Sequence, residues 1–134
     1  MIEGLSHITF IVADLDRMAE ILVEGLGAEQ VYESGEKTFS KSKERFFMVG
    51  SLWIATMEGE ALPSRSYNHV AFKVSDDTLD GYRQRLERIG VELLPDRPRV
   101  DGEGRSLYFY DDDNHLFELH TGTLDQRLKS YAKK

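Results

Sequence analysis

An α+β fold made of two copies of a βαβββ unit is what this sequence predicts, on three observations. A decapeptide recurs: Leu5 to Asp14 (Leu-Ser-His-Ile-Thr-Phe-Ile-Val-Ala-Asp) lines up with Tyr67 to Asp76 (Tyr-Asn-His-Val-Ala-Phe-Lys-Val-Ser-Asp). Each copy reads x-x-His, then alternating apolar residues, then a closing Asp, and self-similarity at about sixty residues marks a duplicated unit. After each copy comes an amphipathic helical pattern that ends on a glycine, Gly27 in the first half and Gly90 in the second. Each half then closes with two short apolar strands around a turn.

Taken in order, residues 5–13 read as a strand with His7, Thr9 and Ile11 on one face and Ile8, Phe10 and Val12 on the other. Leu15 to Leu26 reads as a helix with Asp14 as N-cap and Gly27 just past its end. Gln30-Val31-Tyr32 is a further strand within a span, Glu29 to Phe39, that otherwise reads as polar loop. Phe46 to Val49 and Leu52 to Thr56 flank Gly50-Ser51 as a hairpin. In the second half a strand covers 68–75, a helix roughly 77–89, and a short strand Val91 to Leu94. Pro95 to Gly104, with two Pro and two Gly, is loop. Strands Ser106 to Tyr110 and His115 to His120 enclose an Asp111-Asp112-Asp113-Asn114 turn, and Leu124 to Lys134 is a short helix or arm. The chain is therefore one domain, 1–134, with modules at about 4–60 and 65–122 and a C-terminal arm at 123–134. Two curled sheets sharing a central cleft cover each other's apolar faces, within one chain or between two.

Composition narrows the function. The 134 residues are 40% apolar and 31% charged, which describes a globular domain, and no apolar run approaches the length of a membrane span. The N-terminus has no basic and apolar leader, so cytoplasmic residence is expected. A net charge of −7 argues against nucleic acid as partner. With no cysteine there is no thiolate ligand and no thiol nucleophile, so any metal must be held by His, Asp or Glu.

His7 and His69 are the first candidates. Either one alone reads as a surface histidine at a strand start, but the same register in two repeats argues against coincidence. Glu118 is the third. It interrupts the apolar run Leu116-Phe117-Glu118-Leu119-His120 and shares a face with Leu116 and His120. A carboxylate in a core strand costs several kcal/mol unless paired or metal-bound, the plainer alternative being a salt-bridged or rim-facing glutamate. Two histidines and a carboxylate suit Mn²⁺, Fe²⁺, Ni²⁺ or Zn²⁺ and leave positions open for substrate. Aligning the repeats places Ile54 opposite Glu118, so the first half supplies one ligand and the second half two.

These residues carry a resemblance. Ser6-His7-Ile8-Thr9, Gly50-Ser51-Leu52-Trp53, Tyr67 to Phe72 and the long stretch Ser106 to Leu124 are similar to the vicinal oxygen chelate superfamily, which includes glyoxalases, bleomycin resistance proteins and dioxygenases. Within it, the chain resembles the fosfomycin resistance proteins over essentially its full length. The resemblance implies the vicinal oxygen chelate fold, a metal bound by His7, His69 and Glu118, with Mn²⁺ ahead of Ni²⁺, Fe²⁺ and Zn²⁺, and a homodimer. Each site would take His7 from one subunit and His69 with Glu118 from the other.

The family has thiol-transferase and hydrolytic branches. Read alone, Glu44 in Lys41-Ser42-Lys43-Glu44-Arg45-Phe46-Phe47 is a solvated glutamate at a charged strand edge. The hydrolytic, FosX-type branch carries a glutamate here as general base, which implies that role for Glu44. Alternation places Glu44, Phe46 and Met48 on one face, where phenyl and thioether groups would desolvate the carboxylate. The resemblance further implies Arg127, Ser106 and Tyr108 as phosphonate donors, Thr9 as a contact to a substrate oxygen, and Tyr67 and Trp53 as cavity walls; ordinary core packing is the alternative for the last two. One departure matters: the transferases carry a lysine and a serine, tied to a potassium site, where this chain has Pro98 and Gly102. Arg97, Arg99 or Arg105 are the candidate substitutes for that charge. The expected function is thus hydrolysis of the fosfomycin epoxide to a vicinal diol. A thiol transferase using glutathione, bacillithiol or cysteine, and a non-catalytic antibiotic-binding protein, are the alternatives.

Overall fold

The computed structural model describes residues 1–37, 42–96, 102 and 104–133. In chain order the elements are β1 (His7–Val12), α1 (Leu15–Glu20), β2 (Glu29–Glu33), β3 (Glu44–Val49), β4 (Leu52–Glu58), β5 (His69–Lys73), α2 (Leu79–Arg88), β6 (Ser106–Tyr110), β7 (Leu116–His120) and α3 (Leu124–Ala132). The first half forms a four-stranded sheet of order β1-β4-β3-β2 and the second a three-stranded sheet of order β5-β7-β6. In both, the His-bearing strand lies at one edge and runs parallel to the last strand of its module. The two halves therefore share a topology, as the repeat requires.

Helix α1 starts where the sequence predicts. The Asp14 carboxylate accepts hydrogen bonds from the N–H groups of Asp16 and Arg17, a side-chain N-cap. After Glu20 the backbone widens into a π-helical turn, Ile21–Gly25, which the 3.6-residue periodicity did not announce. Gly25 sits against Leu86 of α2: a Cβ there would lie 2.8 Å from the Leu86 Cδ2. The wider turn brings a glycine to that contact. Gly27 has φ +76, as expected for the residue that ends the helix.

One part of the second module differs from expectation. Val91 to Leu94 is not a strand; Leu93 makes a single bridge to Phe109, and the Leu94 N–H donates to the Tyr108 carbonyl at 2.9 Å. Pro95 follows directly and has no N–H to extend the ladder. The loop positions Arg97, Pro98 and Arg99 lie outside the described residues.

A common core joins the halves. Phe10, Val12, Met18, Ile21, Leu22, Phe47 and Ile54 from the first pack with Leu86, Leu107, Phe109, Phe117 and Leu119 from the second. The Phe10 and Phe117 rings lie 5.1 Å apart, and Phe109 stacks on Phe117 at 5.4 Å. Alternate residues of β1, β3, β4 and β6 face away from this core, which decides what the site contains.

Candidate metal centre and substrate face

On β1, Phe10 and Val12 are buried while His7, Thr9 and Ile11 are exposed, the two faces the alternation predicts. Strand pairing places His7 opposite Trp53, Thr9 opposite Ala55 and Ile11 opposite Met57. It then sets Trp53 beside Met48, Ala55 beside Phe46 and Met57 beside Glu44. Glu44 thus shares a sheet face with His7, two rows away. It is only 7% exposed, a buried carboxylate rather than a solvated strand edge. Trp53 stacks on His7 with ring centroids 4.2 Å apart and meets Phe46 edge-on. The indole N–H of Trp53 is buried and has no acceptor among the described residues.

On the second sheet His69 lies opposite Leu116, Ala71 opposite Glu118 and Lys73 opposite His120. Across β6, Glu118 faces Tyr108 and His120 faces Ser106. The structural equivalent of Glu118 is therefore Ala55, since each sits opposite the residue two beyond the histidine. The sequence alignment of the repeats, which put Ile54 there, is one residue out of register. Ile54 points into the core and is fully buried; a slip of one residue exchanges the faces of a strand.

The His69 Nε2 lies 3.0 Å from the Glu118 Oε1. Its Nδ1 is 2.7 Å from the Tyr67 carbonyl oxygen, which only accepts, so Nδ1 carries a proton. In the neutral ring Nε2 is then a lone pair facing a carboxylate oxygen. A ring nitrogen and a carboxylate oxygen so placed share a cation, either a proton on Nε2 or a metal ion. Glu118 is 4% exposed and is held from behind: the Ser106 hydroxyl donates to its Oε2 at 2.6 Å. Burial pushes the Glu118 carboxyl up, but hydrogen bonds from Ser106 and Tyr108 lead the effects that lower it, and it lies below its ordinary value. A carboxylate beside an oriented imidazole offers two donors of the kind a divalent metal takes.

Among the described residues of one chain, no group of three His, Asp or Glu is close enough to hold a metal. His7, with its Nδ1 3.0 Å from the Ser6 hydroxyl, stays on the first sheet, away from the His69–Glu118 pair. The two equivalent histidines do not meet in one cavity of a single chain.

A family profile described as Glyoxalase/Bleomycin resistance protein/Dioxygenase superfamily matches residues 4–119. The fosfomycin resistance protein FosX of Mesorhizobium japonicum is 58% identical over 133 residues, covering 99% of this chain and 96% of the relative. FosX of Listeria monocytogenes is 56% identical, with 98% of each chain covered. The chain belongs to the FosX family of this superfamily. A variant of the Listeria FosX, solved in complex with Mn(II) and 1S,2S-dihydroxypropylphosphonic acid, superposes with a TM-score of 0.88 at 54% identity, covering 98% of this chain and 99% of that one. The metallothiol transferase FosB of Shouchella clausii is also similar, at 37% identity over 99% of this chain and 90% of the relative.

The residues present fit the divalent metal that the FosX family implies. An imidazole nitrogen and a buried carboxylate oxygen 3.0 Å apart would be suited to holding such an ion. The carbonyl behind His69 and the hydroxyl behind Glu118 are the outer partners that metal ligands need for orientation. Arg105 is engaged elsewhere: its guanidinium bonds the Asp76 carboxylate at 2.8 Å and the Asp76 carbonyl at 2.9 Å, tying the start of β6 to the turn before α2. Ser106 and Tyr108, both expected as phosphonate donors, each hydrogen-bond the Glu118 carboxylate. His120 was missed as a functional residue, although alternation had placed it on the Glu118 face. Its Nδ1 is 2.7 Å from the Ser106 hydroxyl and its Nε2 3.3 Å from an Arg127 Nη2.

Proposed function

We propose that this chain is a divalent-metal-dependent epoxide hydrolase that adds water to the oxirane of fosfomycin, giving a vicinal diol phosphonate and so antibiotic resistance. Full-length kinship with FosX carries this reading, since one FosX was solved with Mn(II) and a vicinal diol phosphonate together. The buried Glu44 on the His7 face supports the hydrolytic branch.

His7 of one subunit and His69 with Glu118 of a second would hold the metal, Mn²⁺ in our reading. Two observations support such a homodimer: the ligand set is incomplete in one chain, and Ile11 and Tyr67 stand exposed on the two ligand-bearing faces. The bound ion supplies Lewis-acid stabilisation of the charge that develops on the oxirane oxygen. The Glu44 carboxylate takes a proton from a water molecule as the water oxygen attacks an oxirane carbon from the side opposite the breaking C–O bond. Arg127 holds the phosphonate so that attacking oxygen, carbon and leaving oxygen lie in line. Thr9 donates to a substrate oxygen beside His7, and Trp53 and Tyr67 wall the cavity. Ser106 serves by orienting Glu118.

Phosphorus NMR of fosfomycin with Mn²⁺-loaded protein, without thiol and then with glutathione, tests this. Diol formation without thiol is the expected result. Turnover only with thiol would move the chain to the transferase chemistry of its FosB relatives, and binding without turnover would make it a sequestering protein.

A further inference from the structure

We propose that His120 is a positioning residue that couples the metal-binding end of the site to its phosphonate-binding end, through one hydrogen-bond chain running Arg127–His120–Ser106–Glu118. The inference rests on the metal and phosphonate roles assigned above. No role was assigned to His120 from sequence.

The chain has a single self-consistent direction. Ser106 has one hydroxyl proton, and it goes to the Glu118 Oε2 at 2.6 Å. Toward His120 the same oxygen must therefore accept, so the His120 Nδ1, 2.7 Å away, is the donor. Arg127 has only N–H groups to offer, so the His120 Nε2, 3.3 Å from its Nη2, accepts. All three contacts are satisfied together only by the neutral ring with its proton on Nδ1. The imidazole is held for this: its side chain is 13% exposed, and β6–β7 pairing sets it directly opposite Ser106. Arg127 is presented by the first turns of α3, whose start is fixed by a capping box between Thr123 and Gln126.

The consequence is geometric. Glu118 is oriented toward the metal by the same hydroxyl that is oriented by His120, and His120 also takes one of the guanidinium's donors. Removing the ring loosens both ends, whereas a residue copying one nitrogen preserves one end. Asparagine places an N–H near the Nδ1 position, and glutamine an oxygen near the Nε2 position.

The test uses the parent and His120→Asn, His120→Gln and His120→Phe, with three readouts: Mn²⁺ dissociation constant, KM and kcat for fosfomycin, and the imidazole ¹⁵N spectrum of the metal-free parent. The spectrum is expected to show His120 protonated on Nδ1 and bare on Nε2. His120→Asn should keep Mn²⁺ affinity within about twofold and raise KM about tenfold, the loss of one charged hydrogen bond. His120→Gln should do the reverse, with KM near the parent and Mn²⁺ bound about tenfold more weakly, as for loss of a metal ligand's outer partner. His120→Phe should lose both; if it fails to fold, the other two still decide. An Nε2–H tautomer in the parent, or variants that lower the melting temperature while leaving Mn²⁺ affinity and KM unchanged, would overturn the coupling. Should the parent bind Mn²⁺ and show the Nδ1–H ring yet leave fosfomycin intact, the substrate reading fails and the metal-side link stands.

Discussion

In the proposed hydrolysis Glu44 is the base, and its burial on the His7 face is the residue-scale fact behind that assignment. Glu44→Gln keeps the shape and removes the base. Fosfomycin hydrolysis is expected to fall by about a hundredfold or more, with Mn²⁺ affinity unchanged, as read by phosphorus NMR and metal titration. Ser106→Ala tests the support of Glu118. Losing that donor should weaken Mn²⁺ binding about tenfold, because the carboxylate then lacks the hydroxyl at 2.6 Å that orients it. At this scale the candidate ligands His7, His69 and Glu118 were legible, because repetition and a carboxylate in an apolar strand are written in the residue order. His120 was not, because a histidine at a strand end says nothing until its neighbours across the sheet are known.

At the scale of elements, the meeting of the β6 start with the β7 end depends on Gly104. Its φ is +94, and a Cβ would lie 2.7 Å from the Gly122 nitrogen and 2.9 Å from its Cα. The obstruction is backbone and cannot swing aside. Gly104→Ala should therefore cost about 2–3 kcal/mol, measured by urea unfolding, and should weaken Mn²⁺ binding through the displaced Ser106. A second prediction concerns Asp113, whose carboxylate accepts the Ala13 N–H at 2.8 Å and so links the end of β1 to the β6–β7 turn. Burial pushes its carboxyl above the ordinary 3.8, more than the Ala13 hydrogen bond lowers it. The folded chain then holds this proton more tightly than the unfolded one. Its contribution to stability is complete below the unfolded value and is lost as pH rises through the folded value. Asp113→Asn should flatten that slope in urea titrations across acidic pH. Helix starts and hairpin turns were readable because caps and glycines act locally. The π-helical turn and the missing strand at 91–94 were not, since a contact with Leu86 and the ladder beyond Leu93 lie far away in sequence.

The whole molecule poses the question of how three ligands on two sheets reach one ion. In the proposed homodimer the pairing of two chains closes the set, and that pairing can be tested by complementation. His7→Ala and Glu118→Ala variants, each inactive alone, should regain activity when co-refolded, because one site of each mixed dimer is intact. Random mixing gives about a quarter of the parent's sites for a twofold dimer. Continued inactivity of the mixture, with sedimentation at the mass of one chain, would sink the shared site.

The residue order by itself determined the duplicated strand–helix–strand architecture and the face each strand turns outward, and it singled out the candidate ligands, because period-two alternation, capping and repetition are properties of neighbouring residues. Only the tertiary structure decided that Ala55 rather than Ile54 matches Glu118, that Ser106 orients Glu118 and that His120 bridges Ser106 and Arg127. It also kept His7 apart from His69 within one chain. Those facts depend on strand register and on distances between elements, and a hydrogen bond across a sheet leaves no trace in the spacing of the residues that make it.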